Sequence, residues 1–568
     1  MIKSIIFALL KINRHYQVVN YAAIFTTRKK TLYVLILILC LTSVFVINKI
    51  TKIPFIRMHK EHFSHKTASH VLRAIERHLN VTPYGKMTPL SSAEESLVTL
   101  LNPKPSYKVG ETLSLRVDLY DQDGQHKSSG GDFLLARIFS LYLDASASGV
   151  LEDFSNGTYK VTFTLFWPGR VEVSVQLVHP SDVVSVLWKA RQQDYDKIMY
   201  KGIFMNHTGI QEEHQCFQHL VKWKHLCKYK DYRDNEYFFC LKPKYLSCNH
   251  LRYLYSKNSE DLNLSRQEFH ILLRSDLAVE VPSEFLYIDV TECSDSFHGP
   301  SLKCKMGMKF ESPGGFFHLN KWYPKNCIVC QFTRVDEVNG CLKGKQIYLL
   351  GDSTLRQWIE YFIKILKNLK MTKMPLGISP VMATDVQRNI HIAWMKHWQP
   401  WVSGTPNAVS SGQYVARRLD TIAGGTNTTV VLALGLHFRP FPIMLFLKRL
   451  LNIRKAIERL LRRNPLTRVF VKLENTRDLS VDMVRFSNWH GYVQNLAQRE
   501  VFQGLNIQFI DAWDMTVSHN SFAIHPSANI VWNQLTLFLT YICDECTDTH
   551  SFQCDSNRKV EADDTDDG

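Results

Sequence analysis

Cysteine is almost missing from the first 215 residues of this 568-residue chain: of 13 cysteines only Cys40 lies there, and 12 follow from Cys216 onward. That excludes a disulfide framework from the amino-terminal part and confines cross-linking to the remainder, where an even count in an oxidising compartment reads as disulfides. Cys327-x-x-Cys330 has no second Cys-x-x-Cys or His pair at matching distance until Cys543 and Cys546, so no metal site is expected. Long apolar runs are as scarce. Thr31 to Ile47, "TLYVLILILCLTSVFVI", is a 17-residue uncharged run, and one such run excludes a multi-span channel. There is no internal repeat and no long low-complexity tract, which excludes a repeat array.

What is present points to a secretory-pathway chain. The apolar run follows Arg28-Lys29-Lys30, precedes Lys49 and Lys52, and lies far from Met1; it predicts a retained signal-anchor helix rather than a cleaved signal peptide. Lys3, Lys11 and Arg14 place residues 1–30 in the cytosol, so everything after about residue 50 faces the lumen or the outside. The expectation is a single-pass type II membrane protein of the Golgi and secretory pathway, with cleavage and secretion as the variant. Sequons at Asn80, Asn156, Asn206, Asn263 and Asn427 fit glycosylation in that compartment. A net charge of +15 and a pI near 9.1 suit acidic glycans or membrane head groups, and the compartment removes nucleic acid as a partner.

At 568 residues, with 45% hydrophobic residues, more than one core is expected. Residues 48–95 read as a stem with a short helix near 68–79. From 96 to 190 alternation in "TLSLRVDLYD" and "GTYKVTFTLFWPGRVEVSVQLVHP", broken by turns, predicts an all-β sandwich of immunoglobulin-like type. Residues 191–319 read as a Cys-rich extension without clear periodicity. Over 320–543 apolar strands alternate with helical patterns, predicting an α/β domain with a mostly parallel sheet. Residues 544–568 end in "EADDTDDG" and read as a disordered acidic tail.

In such a sheet, chemistry gathers at the carboxyl ends of strands. "IYLLGDSTLRQW" puts Ser353 between an apolar strand and an amphipathic helix, where it is equally a helix cap and a nucleophile with backbone N–H groups nearby. "VVLALGLHF" ends in Gly435 and His437, candidates for an oxyanion hole, although a lone His is more often structural. "NIQFIDAWDMT" brings Asp511 and Asp514, and His525-Pro526 opens the last helix. Ser, Asp and His at successive strand ends make the constellation of acyl chemistry. Arg356 is a candidate contact for a sugar carboxylate, whereas Trp358 falls on a core stripe with Phe362 and Ile365. The 441–463 helix carries Lys448, Arg449, Arg454, Lys455, Arg459, Arg462 and Arg463, a solvated face or a dock for an anionic glycan.

At these residues a resemblance appears. "WYPKNCIVCQFTRVDEVNGCLKGKQIYLLGDSTLRQWIEY", "LGLHFRPFP" and "DAWDMT…HP" resemble the PC-esterase domain, a branch of the SGNH-hydrolase-like superfamily. "DQDGQHKSSGGDF", "NGTYKVTFTLFWPG" and "VQLVHPSD" resemble the neurexophilin domain. Over about residues 90–543 the chain is identified as similar to the neurexophilin and PC-esterase domain family. The resemblance implies acyl-ester chemistry on a glycan, specifically O-acetylation of sialic acid, with Ser353 as nucleophile, Gly435 and His437 in the oxyanion block and His525 as base. No bound cofactor is implied; acetyl-CoA or another acetyl donor would be a cosubstrate. The family pattern places an Asp two or three residues before the base, where this chain has Phe522 and Ala523. Either Asp511 or Asp514 substitutes, or the site is weak. The alternatives are a binding protein whose sandwich meets a cell-surface partner, and a glycan acetylesterase.

Overall fold

A computed structural model describes residues 68–79, 81, 89–193, 195–260, 262–272, 278–293, 299–372, 380–479, 482–544 and 549–550. Among them the strands form five sheets. Residues 91–100, 112–121, 158–164 and 150–153 make a four-stranded antiparallel sheet. An eight-stranded mixed sheet lies on its apolar face: Leu113, Leu115, Val117 and Val161 from the first meet Ile138, Val171 and Val175 from the second in one core. Alternate burial along Thr112–Asp121 follows from period-2 alternation of apolar and polar residues.

The expected architecture, an immunoglobulin-like sandwich followed by a mostly parallel SGNH-type α/β domain behind a membrane helix, is corrected by this sheet arrangement. The described chain is mostly β-sheet, in antiparallel and mixed sheets. Residues 279–280, 288–293, 315–318 and 321–324, which showed no strand pattern, supply four strands to the eight-stranded sheet. Residues 198–258 form a six-stranded antiparallel sheet completed by Asn407–Ala408. Periodicity reports which face of a strand is buried, not which distant strand pairs with it. That is why these sheets escaped the sequence.

The membrane placement is corrected as well. No helix among the described residues is long and apolar enough to cross a membrane, and the run 31–47, the stem up to residue 67 and the tail 551–568 lie outside them. Disulfides Cys216–Cys240, Cys227–Cys248, Cys304–Cys327 and Cys341–Cys543 cross-link the part of the chain where cysteine is plentiful. Cys327 and Cys543, weighed as zinc ligands, are therefore spent.

Ser353 stands on a seven-stranded sheet, whose strands are numbered in chain order: β1 (Gln346–Gly351), β2 (Lys370–Thr372), β3 (Val381–Asp385), β4 (Ile390–Lys396), β5 (Thr428–Ala433), β6 (Arg468–Lys472) and β7 (Gln508–Ile510). Their order is β2-β3-β4-β1-β5-β6-β7. Pairs β4/β1, β1/β5, β5/β6 and β6/β7 are parallel, while β2/β3 and β3/β4 are antiparallel. Residues of both faces are buried in two separate cores. The flanking helices are α1 (Ser353–Ile365), α2 (Ile443–Arg463), α3 (Asn488–Phe502), α4 (Ala512–Ser518) and α5 (Ala528–Ile542). Trp358 of α1 is fully buried and donates to Gln534 of α5 at 3.1 Å, as its place in a core stripe requires.

Candidate functional site

β1 runs directly into α1, and the turn between them resolves the cap-or-nucleophile question. Asp352 is the N-cap: its Oδ1 accepts from the Thr354 amide at 2.9 Å and from the Thr354 hydroxyl at 2.7 Å. Ser353 is the first helical residue, so its hydroxyl is free of capping duty. Its Oγ lies 2.7 Å from His525 Nε2, across 172 residues of chain. The turn is rigid. Trp394 Nε1 donates to the Asp352 carbonyl at 3.0 Å, and the Asp352 amide to the Ala433 carbonyl at 3.0 Å. A Cβ on Gly351 would fall 2.0 Å from that carbonyl oxygen, so only glycine lets β1 and β5 close at this level.

His525 sits just before α5, which begins at Ala528 with Ser527 as cap; Pro526 therefore precedes the helix instead of opening it. Its carbonyl accepts from Gln357 Nε2 of α1 at 3.1 Å, which ties the His525 loop to the helix bearing Ser353. The imidazole is exposed on one side. Burial of the other side and the nearby Arg356 charge hold it below its ordinary value, against Asp352 and Glu360.

The structure does not bring Asp511 and Asp514 to His525. Asp511 caps α4, its Oδ1 accepting from the Asp514 amide at 3.1 Å and its Oδ2 from Arg499 at 2.9 Å. Asp514 accepts from the Ser148 hydroxyl and from the Gly314 amide, the latter at 2.5 Å. Burial, reinforced by Asp511, pushes the Asp514 carboxyl up to about 7. Because α4 starts directly after β7, it turns Asp514 toward Ser148 of the eight-stranded sheet, while Asp511 stays on Arg499 of α3. Asp514 lines a cavity of about 310 Å³ there, with Asp132, Arg499 and Trp489, apart from the Ser–His pair.

Gly435 and His437 do lie at the end of β5, but neither is placed as an oxyanion donor. The Gly435 amide donates to Glu474. His437 Nδ1 is 2.9 Å from His397 Nε2, and His397 Nδ1 is 2.9 Å from the Trp398 carbonyl. Arg356 is exposed beside the dyad, paired with Glu360 at 3.1 Å and 5.9 Å above the Trp394 ring.

Several residues here were not singled out from the sequence. Glu474 and Arg477 follow β6, and His397 follows β4, so the strand-end rule applied to "RVFVKLENTR" and "HIAWMKHW" would have found them. Behind Ser353 lie four buried charges, Asp352, Lys472, Glu474 and Arg439. Lys472 Nζ donates to Thr354 Oγ1 at 3.1 Å, and Arg439 approaches Glu474 at 3.8 Å. Burial raises Glu474 to about 7, against the opposing Arg439 charge. Arg477 is 6% exposed, stacks 4.3 Å from the Phe486 ring, and its buried Nε has no hydrogen-bond partner among the described residues. Its charge acts on both His437 and His525.

The basic helix is mostly satisfied internally. Arg449 holds Glu236 at 2.7 Å, Arg454 holds Glu458 at 3.0 Å and Arg459 holds Asp420 at 2.8 Å, while Arg463 donates to the Leu419 and Ile422 carbonyls. A docking face for anionic glycans is thus not the role of these arginines. Among the sequons, Asn156, Asn263 and Asn427 are exposed and Asn206 half-exposed; Asn80 lies outside the described residues.

Buried histidines set the acid limit of the fold. His179 and His397 are lowered to about 3 by burial, and burial, then the Arg191 charge, takes His490 well below its ordinary value. The unfolded chain binds these protons near pH 6.5 and the folded one does not, so their contribution is complete above about 6.5. It is lost at about 1.4 kcal/mol per pH unit per histidine below that. His437 and His525, also lowered, act in the same direction, whereas Glu474 and Asp514, raised to about 7, act in the opposite one between about 4 and 7, as do Asp132 and Glu280, raised by burial. The two sets partly offset, so urea midpoints are expected to fall modestly from pH 6.5 to pH 5 and to change little from pH 7 to 8.

Taken together, these features define a β-rich chain with a Ser–His pair on the strand-to-helix turn of a mixed sheet. A family model described as NXPE family member 4-like, C-terminal domain, matches residues 322–543, and a Neurexophilin model matches residues 73–264. The chain belongs to the NXPE family. Solved structures similar to parts of it include FdeC, an Escherichia coli adhesin, at 12% identity over 35% of this chain and 65% of that one, with a TM-score of 0.14. Another is invasin, a bacterial integrin-binding protein, at 10% identity over 55% of this chain and 61% of that one, also with a TM-score of 0.14. This chain thus spans less than two thirds of each, and at such scores neither bears on the site.

Proposed function

We propose that this protein is a glycan O-acetyltransferase, with a sialic acid as the acceptor that the family resemblance suggests, working through an acyl ester on Ser353. The observation that carries the reading is the 2.7 Å contact between Ser353 Oγ and His525 Nε2. In this reading His525 takes the Ser353 proton as Oγ attacks the carbonyl of acetyl-CoA or another acetyl donor, and returns it to the leaving group. The free amide of Ser353, at the positive end of α1, supports charge on the carbonyl oxygen. Arg356 and Arg477 both put positive charge on His525, which suits an acidic glycan or an anionic donor. Because no carboxylate among the described residues is hydrogen-bonded to the second nitrogen of His525, its imidazolium gains no such support, and turnover is slow. Water in place of the sugar hydroxyl would make the same ester intermediate an acetylesterase.

The test is expression in cells that lack sialate O-acetylation. O-acetylated sialic acid is expected with the chain and absent with Ser353→Ala. Equal signal from both removes Ser353 as nucleophile, and no signal from either favours a binding role for the neurexophilin-like part.

A further inference from the structure

The six-stranded sheet has one face in a core and the other in solvent. Tyr200, Cys227, Phe238 and Leu254 of its inner face share a core with Trp398 and Trp401. Those tryptophans follow β4, whose Lys396 is in register with Gly351, and the next residue, His397, donates its amide to the Gly351 carbonyl at 3.3 Å. The outer face therefore lies one packing layer, about 10 Å, beyond the segment that borders the Ser353 turn. On that outer face the register sets rings beside lysines. Phe217 pairs with Phe239 and Phe239 with Lys228, while Lys230 pairs with Tyr237, whose ring is 5.4 Å from that of Phe239. Trp223, 60% exposed, lies 6.4 Å from the Phe217 ring.

Between Glu213 and Asp231 the chain has no acidic residue and four lysines, Lys222, Lys224, Lys228 and Lys230, all exposed. The neighbouring carboxylates are already engaged: Glu213 by Lys201, Asp231 by Arg417, Asp234 by Arg233 and Glu236 by Arg449. None of the four lysines forms an ion pair among the described residues; Lys230 lies over the Tyr232 ring at 5.4 Å. Lysine on an edge strand guards it against pairing with another chain, and Leu226–Asp231 is such an edge. That accounts for Lys228 and Lys230. It does not account for Lys222 and Lys224, which precede the strand, or for the tryptophan left in water between them. Ammonium groups set among rings complement a chain of anionic sugars, whose carboxylates meet the lysines and whose C–H faces lie on the negative faces of the rings. Phe217 and Phe239, at 9% and 8% exposure, form a floor, not a protruding edge that enters a bilayer. We propose that this outer face is a second glycan site, which holds an acceptor carrying several sialic acids while one of them reaches Ser353. Holding the acceptor by its other sugars raises its effective concentration at the Ser–His pair without any new contact there. The proposal deepens the acyl-transfer reading above and rests on it for the chemistry of the acceptor.

The test uses the full chain and polysialic acid, with binding and transfer read separately. With Lys222→Glu, Lys224→Glu, Lys228→Glu and Lys230→Glu combined, the Kd for polysialic acid is expected to rise about tenfold or more and its salt dependence to flatten, because exposed charge contacts are lost. Trp223→Ala is expected to raise it about 2- to 10-fold through the lost ring. The same reversal at exposed lysines on other elements, Lys305, Lys321, Lys343 and Lys364, changes net charge equally and should leave the Kd within about threefold. In acetyl transfer, the four-lysine variant should raise KM for polysialic acid by the factor seen in binding, while transfer to the methyl glycoside of sialic acid stays within about twofold. Binding unchanged in that variant, or lost equally in the control variant, overturns the proposal. So does binding through the same lysines that is tighter to phosphatidylserine vesicles than to polysialic acid, which makes the face a membrane contact. A chain that binds polysialic acid through these lysines but acetylates neither acceptor sinks the Ser353 reading and supports the glycan site.

Discussion

Acetyl transfer by the purified chain is expected to fall by about three orders of magnitude or more in Ser353→Ala, by a similar factor in His525→Ala, and no further in the double variant. The non-additivity is the informative part. Ser353 Oγ and His525 Nε2 share one hydrogen bond of 2.7 Å, so once either member is gone the other has no proton to move and no nucleophile to activate. Independent roles, such as His525 only contacting the sugar, would give factors that multiply. The Asp511 and Asp514 variants should not reproduce this pattern. Both carboxylates are engaged by Arg499, Ser148 and Gly314, and their replacement acts on the stability of α4 and its contacts.

Gly351→Ala is expected to cost about 3 kcal/mol or more in urea unfolding, at or beyond the upper end of ordinary overpacking. The added Cβ would stand 2.0 Å from the Ala433 carbonyl oxygen and 2.9 Å from its carbon. Those are backbone atoms of the strand paired with β1, in register Gly351 to Ala433, and no side chain can swing away to make room. Relief means parting β1 from β5 just where the Asp352 amide meets the same oxygen at 3.0 Å, so activity should fall with stability. Gly340→Ala is the control: it lies in the helix Val335–Leu342, and a methyl added there would have nothing within 4 Å. At that position alanine should be neutral or gain up to about 1 kcal/mol. A Gly351→Ala chain as stable as wild type would mean that the two strands are not held this closely.

What could be read before folding was local. The alternation in "TLSLRVDLYD" marks a strand with one buried face, and the Gly-Asp-Ser turn marks a strand end carrying a hydroxyl. The order of Ser353, Gly435 and His525 along the chain was enough to suggest one site, because strand ends of a parallel run collect on one edge. The hairpin formed by β2 and β3 was not foreseen, nor were the strands between 279 and 324. Such short, exposed or polar segments have no period of their own and become strands only because a long neighbour offers unpaired backbone groups. The sheets were misjudged for that reason, and with them the fold as a whole.

The same division runs through the site. Residue type and local order settled that Asp352 or Ser353 would begin a helix, that the cysteines after residue 215 would cross-link, and which family the chain resembles. Tertiary packing alone decided that Asp352 takes the cap and releases Ser353, that α4 carries Asp511 and Asp514 away from His525, and that Glu474 occupies the Gly435 amide. Caps, turns and cysteine chemistry depend on a few consecutive residues, whereas the partner of a buried polar group is whichever side chain the fold brings within hydrogen-bonding distance, at any separation along the chain.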